Sequence, residues 1–103
     1  MAYRVRYNGE AEQDLRRLTG QQRGRVRAAE RRYLVAQPDL DDGTIRKKLD
    51  PNPLDAEWEL KLGELRVCYE VNRSTQTVRV LRVLTKVREQ YYLRGVPFDM
   101  RLP

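Results

Sequence analysis

Between Trp58 and Val71 the chain reads Trp-Glu-Leu-Lys-Leu-Gly-Glu-Leu-Arg-Val-Cys-Tyr-Glu-Val, with apolar and polar residues alternating on both sides of Gly63-Glu64. Alternation with a period of two is the signature of a half-buried strand, and a glycine at the break suits a tight reversal, so the segment predicts a β-hairpin. Trp58, Leu60 and Leu62 then share one face with Leu65, Val67, Tyr69 and Val71. Lys61 and Arg66 project together from the other face, on adjacent strands. Two fixed cations on an open sheet face make a site for phosphate. The plainer reading is also available: each could be an ordinary solvent-facing strand residue paired with Glu59 or Glu64, an arrangement contributing a fraction of a kcal/mol.

The elements that must carry this hairpin follow from the rest of the chain. Tyr3, Val5 and Tyr7 alternate with Arg4 and Arg6, which predicts a short first strand, and Asn8 can cap a helix over about 9 to 18 with Ala11, Leu15 and Leu18 as its buried stripe. Thr19-Gly20 breaks that pattern. A second, longer helix over about 21 to 36 carries Val26, Ala29, Tyr33 and Leu34 on one side before Pro38 ends it. Residues 39 to 44 are acidic and contain glycine, so they read as a loop; Ile45 to Leu49 can touch the sheet before the turn Asp50-Pro51-Asn52-Pro53. Three antiparallel strands are expected near 56 to 62, 65 to 72 and 77 to 85, with Asn72 to Gln76 as a polar turn. Lys86 to Leu93 contains neither proline nor glycine and has helical composition, which predicts a short C-terminal helix; the tail from Arg94 to Pro103 reads as irregular.

Val78 to Leu84 is apolar on both faces apart from Arg79 and Arg82, so this strand belongs at the centre of the sheet, covered on at least one side. The helical hairpin is the available cover. The expected class is therefore α+β: an N-terminal strand and a two-helix hairpin packed on one face of a twisted antiparallel sheet, the opposite face partly open and lined by cations.

At 103 residues and 12.2 kDa the chain suits one domain with one core, spanning residues 1 to 103. Its 21 Lys+Arg against 15 Asp+Glu give +6 and a pI near 9.8, which favours polyanionic partners such as nucleic acid or an acidic protein segment. Cys68 is the single cysteine, which excludes an internal disulfide and a cysteine-based zinc site and suits a reducing compartment. A packing role is expected for it, since no histidine is present to activate a thiol. The first six residues lack the apolar core of a signal peptide, and no run approaches the roughly 18 apolar residues of a membrane span, so a cytoplasmic protein without membrane association is expected.

The order strand, helix, helix, three strands is joined here to Lys47-Lys48-Leu49 before a turn, to the Trp58 to Val71 hairpin and to the basic Lys86-Val87-Arg88 after the last strand. In this combination the chain resembles the RelE/ParE toxin superfamily over nearly its whole length. The resemblance implies the toxin of a type II toxin-antitoxin pair. RelE-like members cut mRNA in the ribosomal A site, and ParE-like members inhibit DNA gyrase. Cutting RNA by attack of the 2′-hydroxyl on the adjacent phosphate needs a group to take that proton, positive charge for the phosphorane and an acid for the departing 5′-oxygen. Histidine usually serves, and this chain has none. RelE-like members manage with clustered basic residues and a tyrosine, where repulsion between neighbouring cations favours a neutral amine.

By that resemblance Lys61 matches the hairpin general base and Arg66 the arginine that holds the phosphate. The family's Gly-Lys-Arg after the last strand appears as Thr85-Lys86-Val87-Arg88, so Lys86 or Arg88 would supply that charge, and the stacking tyrosine would be Tyr91 or Tyr92. On a helix only one of two adjacent tyrosines can face inward, leaving the other for a base. The implied catalytic set is Lys61, Arg66, Arg88 and Tyr92. The implied RNA contacts are Lys47, Lys48, Lys86 and Tyr91, with Arg25 and Arg32 from the basic side of the second helix, whose arginines could equally be a solvated surface. Glu59 replaces the second hairpin lysine of the best-known RelE pattern and places a negative charge beside the expected base.

The function implied is a ribosome-dependent mRNA endoribonuclease that needs no metal or organic cofactor. The expected partners are the ribosome, mRNA and a cognate antitoxin whose disordered, often acidic segment folds on the toxin, with operator DNA contacted only through that antitoxin. Two alternatives stand beside it: a ParE-like gyrase inhibitor without nuclease activity, and a non-toxic member acting only with its antitoxin in DNA binding.

Overall fold

The computed structural model describes residues 2–102; the expectations for Met1 and for the last tail residue, Pro103, lie outside that range. Strand β1 (Arg4–Tyr7) leads into helix α1 (Gly9–Arg17), capped as expected by Asn8, whose side chain accepts from the Ala11 N–H. Helix α2 (Gly20–Ala29) begins with a capping box in which Thr19 and Gln22 satisfy each other's backbone N–H groups. The expected longer helix is continued by a π-helical turn, Glu30–Leu34. Strands β2 (Arg46–Lys48), β3 (Trp58–Leu62), β4 (Leu65–Asn72), β5 (Thr77–Val87), β6 (Gln90–Leu93) and β7 (Val96–Phe98) follow.

The sheet runs β2-β3-β4-β5-β6-β7, with β1 pairing parallel to the first half of β5 while β6 pairs with its end. The remaining pairings are antiparallel. The long β5 is therefore central, as its two-sided apolar pattern requires. The helices cover one face. Ala11, Leu15, Val26, Ala29 and Leu34 pack there on Trp58, Leu60, Val67, Tyr69, Val80 and Val83, and the Trp58 and Tyr69 rings stack at 6.4 Å. The two helices on a twisted sheet, the α+β class, are as expected.

The chain differs from expectation after Thr85. No short C-terminal helix forms: β5 continues to Val87, turns at Arg88-Glu89 and returns as β6, and a second turn at Arg94-Gly95 leads to β7 in the tail expected to be irregular. Arg88 has φ 57°, and Arg94 and Gly95 have φ 49° and 81°, the left-handed conformations that two-residue hairpin turns use. The physical reason lies on the outer face of the sheet, where Ala56, Cys68, Leu81 and Leu84 form a second buried cluster. As strands, the C-terminal residues lay Tyr91, Leu93, Phe98 and Met100 over it. A helix would leave that patch in water. The face expected to be open is consequently half covered.

Candidate functional site

On β3 and β4, Lys61 and Arg66 are direct cross-strand partners, and Leu62 pairs with Leu65 around the two-residue turn Gly63-Glu64. Directly opposed residues point to the same side of a sheet, so the two cations share the outer face. Leu84 is the partner of Arg66 on β5, and Lys86, two residues on, adds a third cation to the same face opposite Tyr91 of β6. Lys61, Arg66 and Lys86 are each half-buried.

The hairpin tip is held from beneath by helix α2. Arg25 Nη1 donates to Glu64 Oε1 at 2.7 Å, and its Nη2 donates to the Leu62 carbonyl at 2.6 Å. Gly63 has φ 60°, and a Cβ there would meet Arg25 Nη2 at 2.6 Å, so the turn needs glycine for its backbone and the arginine lies directly against it. On the other side, the Lys61 N–H donates to the Ile45 carbonyl at 2.7 Å and ties the hairpin to the segment entering β2. That segment is anchored by Arg46, whose guanidinium donates to Asp42 Oδ2 and to the Gln37 carbonyl. Backbone N–H donation around Arg46, together with that guanidinium, holds the Asp42 carboxyl well below the usual carboxylate range.

Glu59 lies on the same face as Lys61, two residues before it, and is 2% exposed. Its Oε2 accepts the Tyr91 hydroxyl at 2.5 Å, while Oε1 lies 3.6 Å from Arg66 Nε. Burial, and then the Glu59 carboxylate, raise the Tyr91 phenol above its ordinary pKa, so Tyr91 is a neutral donor in this site. Arg66 Nη1 donates to the Gly63 and Leu65 carbonyls, which turns the guanidinium toward the hairpin tip. Lys86 Nζ sits 4.7 Å from the centroid of the Tyr91 ring, a cation-π contact. Among the described residues Lys61 and Lys86 have no carboxylate partner. Beside Tyr91 and Lys47 opens a cavity of about 250 Å³, lined also by Leu49, Asn52, Met100 and Arg101.

The remaining expected residues are distributed as follows. Lys47 is the cross-strand partner of Glu59 and reaches the edge of the site, whereas Lys48 lies on the helix side, its ammonium 5.6 Å from the Trp58 ring. Arg88 is exposed in the β5–β6 turn. Tyr92 pairs with Thr85 and faces the helices, lining a cavity of about 320 Å³ with Asp14, Leu18 and Gln22; it is not brought to Lys61 and Arg66. Of the two tyrosines, Tyr91 is the one on the cation face, and two-residue alternation, rather than helical spacing, separates them. Arg25 is committed to the hairpin turn. Arg32 is exposed on the far side of the helical layer, stacked near Tyr33 at 5.5 Å. Glu59 is the residue whose contacts the sequence concealed, because its partner Tyr91 is remote in sequence. The adjacent aromatics Tyr91-Tyr92, a residue type enriched in strands, and the Arg94-Gly95 pair were the signals for the strand that brings Tyr91 to it.

A larger cleft of about 920 Å³ lies elsewhere on the sheet, bordered by Arg4, Arg6, Lys48, Arg73 and Arg79 as well as by Asp39, Glu57 and Glu70. None of Lys61, Arg66, Lys86 or Tyr91 lines it. Among the described residues no helix is long and apolar enough to cross a membrane, and no cluster of three or more His, Cys, Asp or Glu could hold a metal ion.

No protein-family model and no curated protein matches the sequence. Solved structures do match. The archaeal RelE-RelB complex from Pyrococcus horikoshii aligns with a TM-score of 0.67 and 25% identity over 85% of this chain and 99% of that one. The isolated RelE toxin of E. coli aligns with a TM-score of 0.68 and 23% identity over 85% and 88% of the two chains. A RelBE toxin-antitoxin complex from Mycobacterium tuberculosis aligns at 0.65 and 22% identity over 84% of this chain and all of that one (100%). The order of elements, the layer of two helices on a twisted sheet and these superpositions agree with one another: the chain is RelE-like and carries the fold of the RelE/ParE toxin superfamily.

Proposed function

We propose that this protein is the toxin of a toxin-antitoxin pair and cuts mRNA on the ribosome. The observation that carries the reading is the direct cross-strand placement of Lys61 and Arg66 on the outer face, with Lys86 beside them. That arrangement supplies what transesterification requires in the absence of histidine. The Lys61 amine takes the proton of the 2′-hydroxyl as its oxygen bonds to the adjacent phosphorus. Arg66 and Lys86 face the equatorial oxygens, where negative charge accumulates. The P–O5′ bond then breaks on the far side of the phosphorus, and the departing oxygen takes its proton from water.

The antitoxin belongs to the same reading. Two of the similar structures are toxin-antitoxin complexes. A net charge of +6 favours an acidic wrapping segment. Operator DNA is reached through that antitoxin, and the cytoplasm is where ribosomes and mRNA are met.

The test is cleavage of mRNA on programmed ribosomes by the purified protein, with ends mapped to the A site. Lys61→Ala and Arg66→Ala should each lower the rate by about 100-fold or more, the scale of losing a catalytic base or an oxyanion donor. Uncut mRNA combined with inhibition of gyrase supercoiling would replace this reading with a gyrase-directed binder. A protein inert in both assays would be a member acting only with its antitoxin.

A further inference from the structure

A carboxylate that is 2% exposed is costly to bury unless it is compensated. Glu59 stands among the cations Lys61, Arg66 and Lys86, with Lys47 as its cross-strand partner. It occupies a position from which a charged side chain would ordinarily reach solvent. Its compensation comes from two directions. The Tyr91 hydroxyl donates to Oε2 at 2.5 Å, and Arg66 Nε lies 3.6 Å from Oε1, too long for a hydrogen bond. Arg66 Nε is itself buried without a hydrogen-bond partner, so its attraction to Glu59 is that of charge alone. Tyr91 belongs to β6 and Glu59 to β3, with β5 and β4 between them in the sheet. The tyrosine therefore lies across two strands, over Cys68 and Leu84, with its far end tethered. The Lys86 ammonium rests against this tethered ring.

We propose that Glu59 is the positioning residue of the phosphate-binding face: through the Tyr91 hydroxyl it holds the ring that carries Lys86, and through charge it holds Arg66, so that one buried carboxylate sets the spacing of both cations flanking Lys61. Glu59 touches no substrate atom. The inference rests on the nucleic-acid reading above, since a fixed spacing of cations has meaning for a phosphate chain. The buried negative charge is thus a device of this chain. A second lysine there would add charge to the face; a buried glutamate arranges the charge already present.

The experiment uses the full chain and two readouts. The first is the NMR shift of the Lys86 ε-methylene protons, which the Tyr91 ring current moves upfield while the two are in contact. The second is the salt dependence of binding to a short single-stranded RNA. Each phosphate neutralised contributes about 0.7 to the slope of log K against log salt. Tyr91→Phe should abolish the upfield shift and reduce the slope by about 0.7, one phosphate contact, and Glu59→Ala, which also releases Arg66, should abolish the shift and reduce the slope further. Glu59→Gln keeps an acceptor for the hydroxyl and should restore the Lys86 shift, but not the part of the slope that depends on the charge holding Arg66. An unaltered Lys86 shift in Glu59→Ala and Tyr91→Phe overturns the proposal, and so does a lost shift with the slope unchanged. Failure of the wild-type protein to bind RNA at all would instead count against the nucleic-acid reading. The Lys86 shift would then still decide whether Glu59 holds the ring.

Discussion

Arg94 Nε donates to Asp14 Oδ1 at 2.8 Å, joining the C-terminal β6–β7 turn to the first helix across 80 residues of sequence. The same carboxylate, its side chain 1% exposed, accepts from Arg82 Nε at 2.8 Å and from the Val83 N–H at 2.9 Å. Asp14 is thus the point at which α1, β5 and the terminal hairpin are fastened together.

Replacing Asp14 should therefore be costly. Asp14→Ala strands two guanidinium groups and a buried N–H, and is expected to lower stability by about 3 to 5 kcal/mol in urea unfolding. Asp14→Asn keeps an acceptor and should lose less. A change in Asp14→Ala below about 1 kcal/mol would mean that the hairpin docks without this anchor.

Arg25 presents the opposite balance of stability against function. It and Glu64 are each 41% exposed at the side chain, so the ion pair contributes at most about 1 kcal/mol to stability. The same guanidinium holds the turn that sets Lys61 against Arg66. Arg25→Ala should leave the unfolding midpoint nearly in place while lowering the rate of the proposed mRNA cleavage by about 10-fold, through misplacement of the two cations. Equal activity in the two proteins would show that the hairpin tip needs no support.

Leu60 is fully buried between the helices and the sheet and is the neighbour of Lys61 in the chain. Leu60→Ala should cost about 2 to 5 kcal/mol, from lost burial and the cavity left behind. Thermal unfolding followed by circular dichroism measures it.

The protein should also weaken in alkali. Burial is the first cause of raised pKa values at Cys68, Tyr7, Tyr69 and Tyr91, reinforced at Cys68 and Tyr91 by Glu59 and at Tyr7 by Glu30. The folded chain keeps these protons to higher pH than the unfolded chain does. Their contribution is complete below the unfolded pKa, about 8.5 for the thiol and about 10 for the phenols, and is lost as pH rises toward the folded values. Urea midpoints at about pH 7, 9 and 11 should fall in that order, and Tyr91→Phe should flatten the last interval. A midpoint that does not move between about pH 7 and 11 would contradict the burial of these groups.

The chemistry-bearing hairpin was legible in the residues because its information is local. A side-chain period of two places Lys61 and Arg66 on one face once Gly63 closes the turn, and Asn8 marks a helix start through a hydrogen bond only three residues long. The sequence by itself therefore determined the two helices, the β3–β4 hairpin and the pairing of its cations. The tertiary structure alone decided what surrounds them. Gln90 to Leu93 can be drawn as helix or strand; the strand prevails because the apolar patch of Cys68, Leu81 and Leu84 needs cover that an extended segment supplies. That choice carries Tyr91 to Glu59 and turns Tyr92 to the helices. It also settles Arg94 on Asp14, just as the packing of α2 settles Arg25 on Glu64. Such partnerships are fixed by burial and charge compensation between strands and helices far apart in sequence, and no window of neighbouring residues contains them.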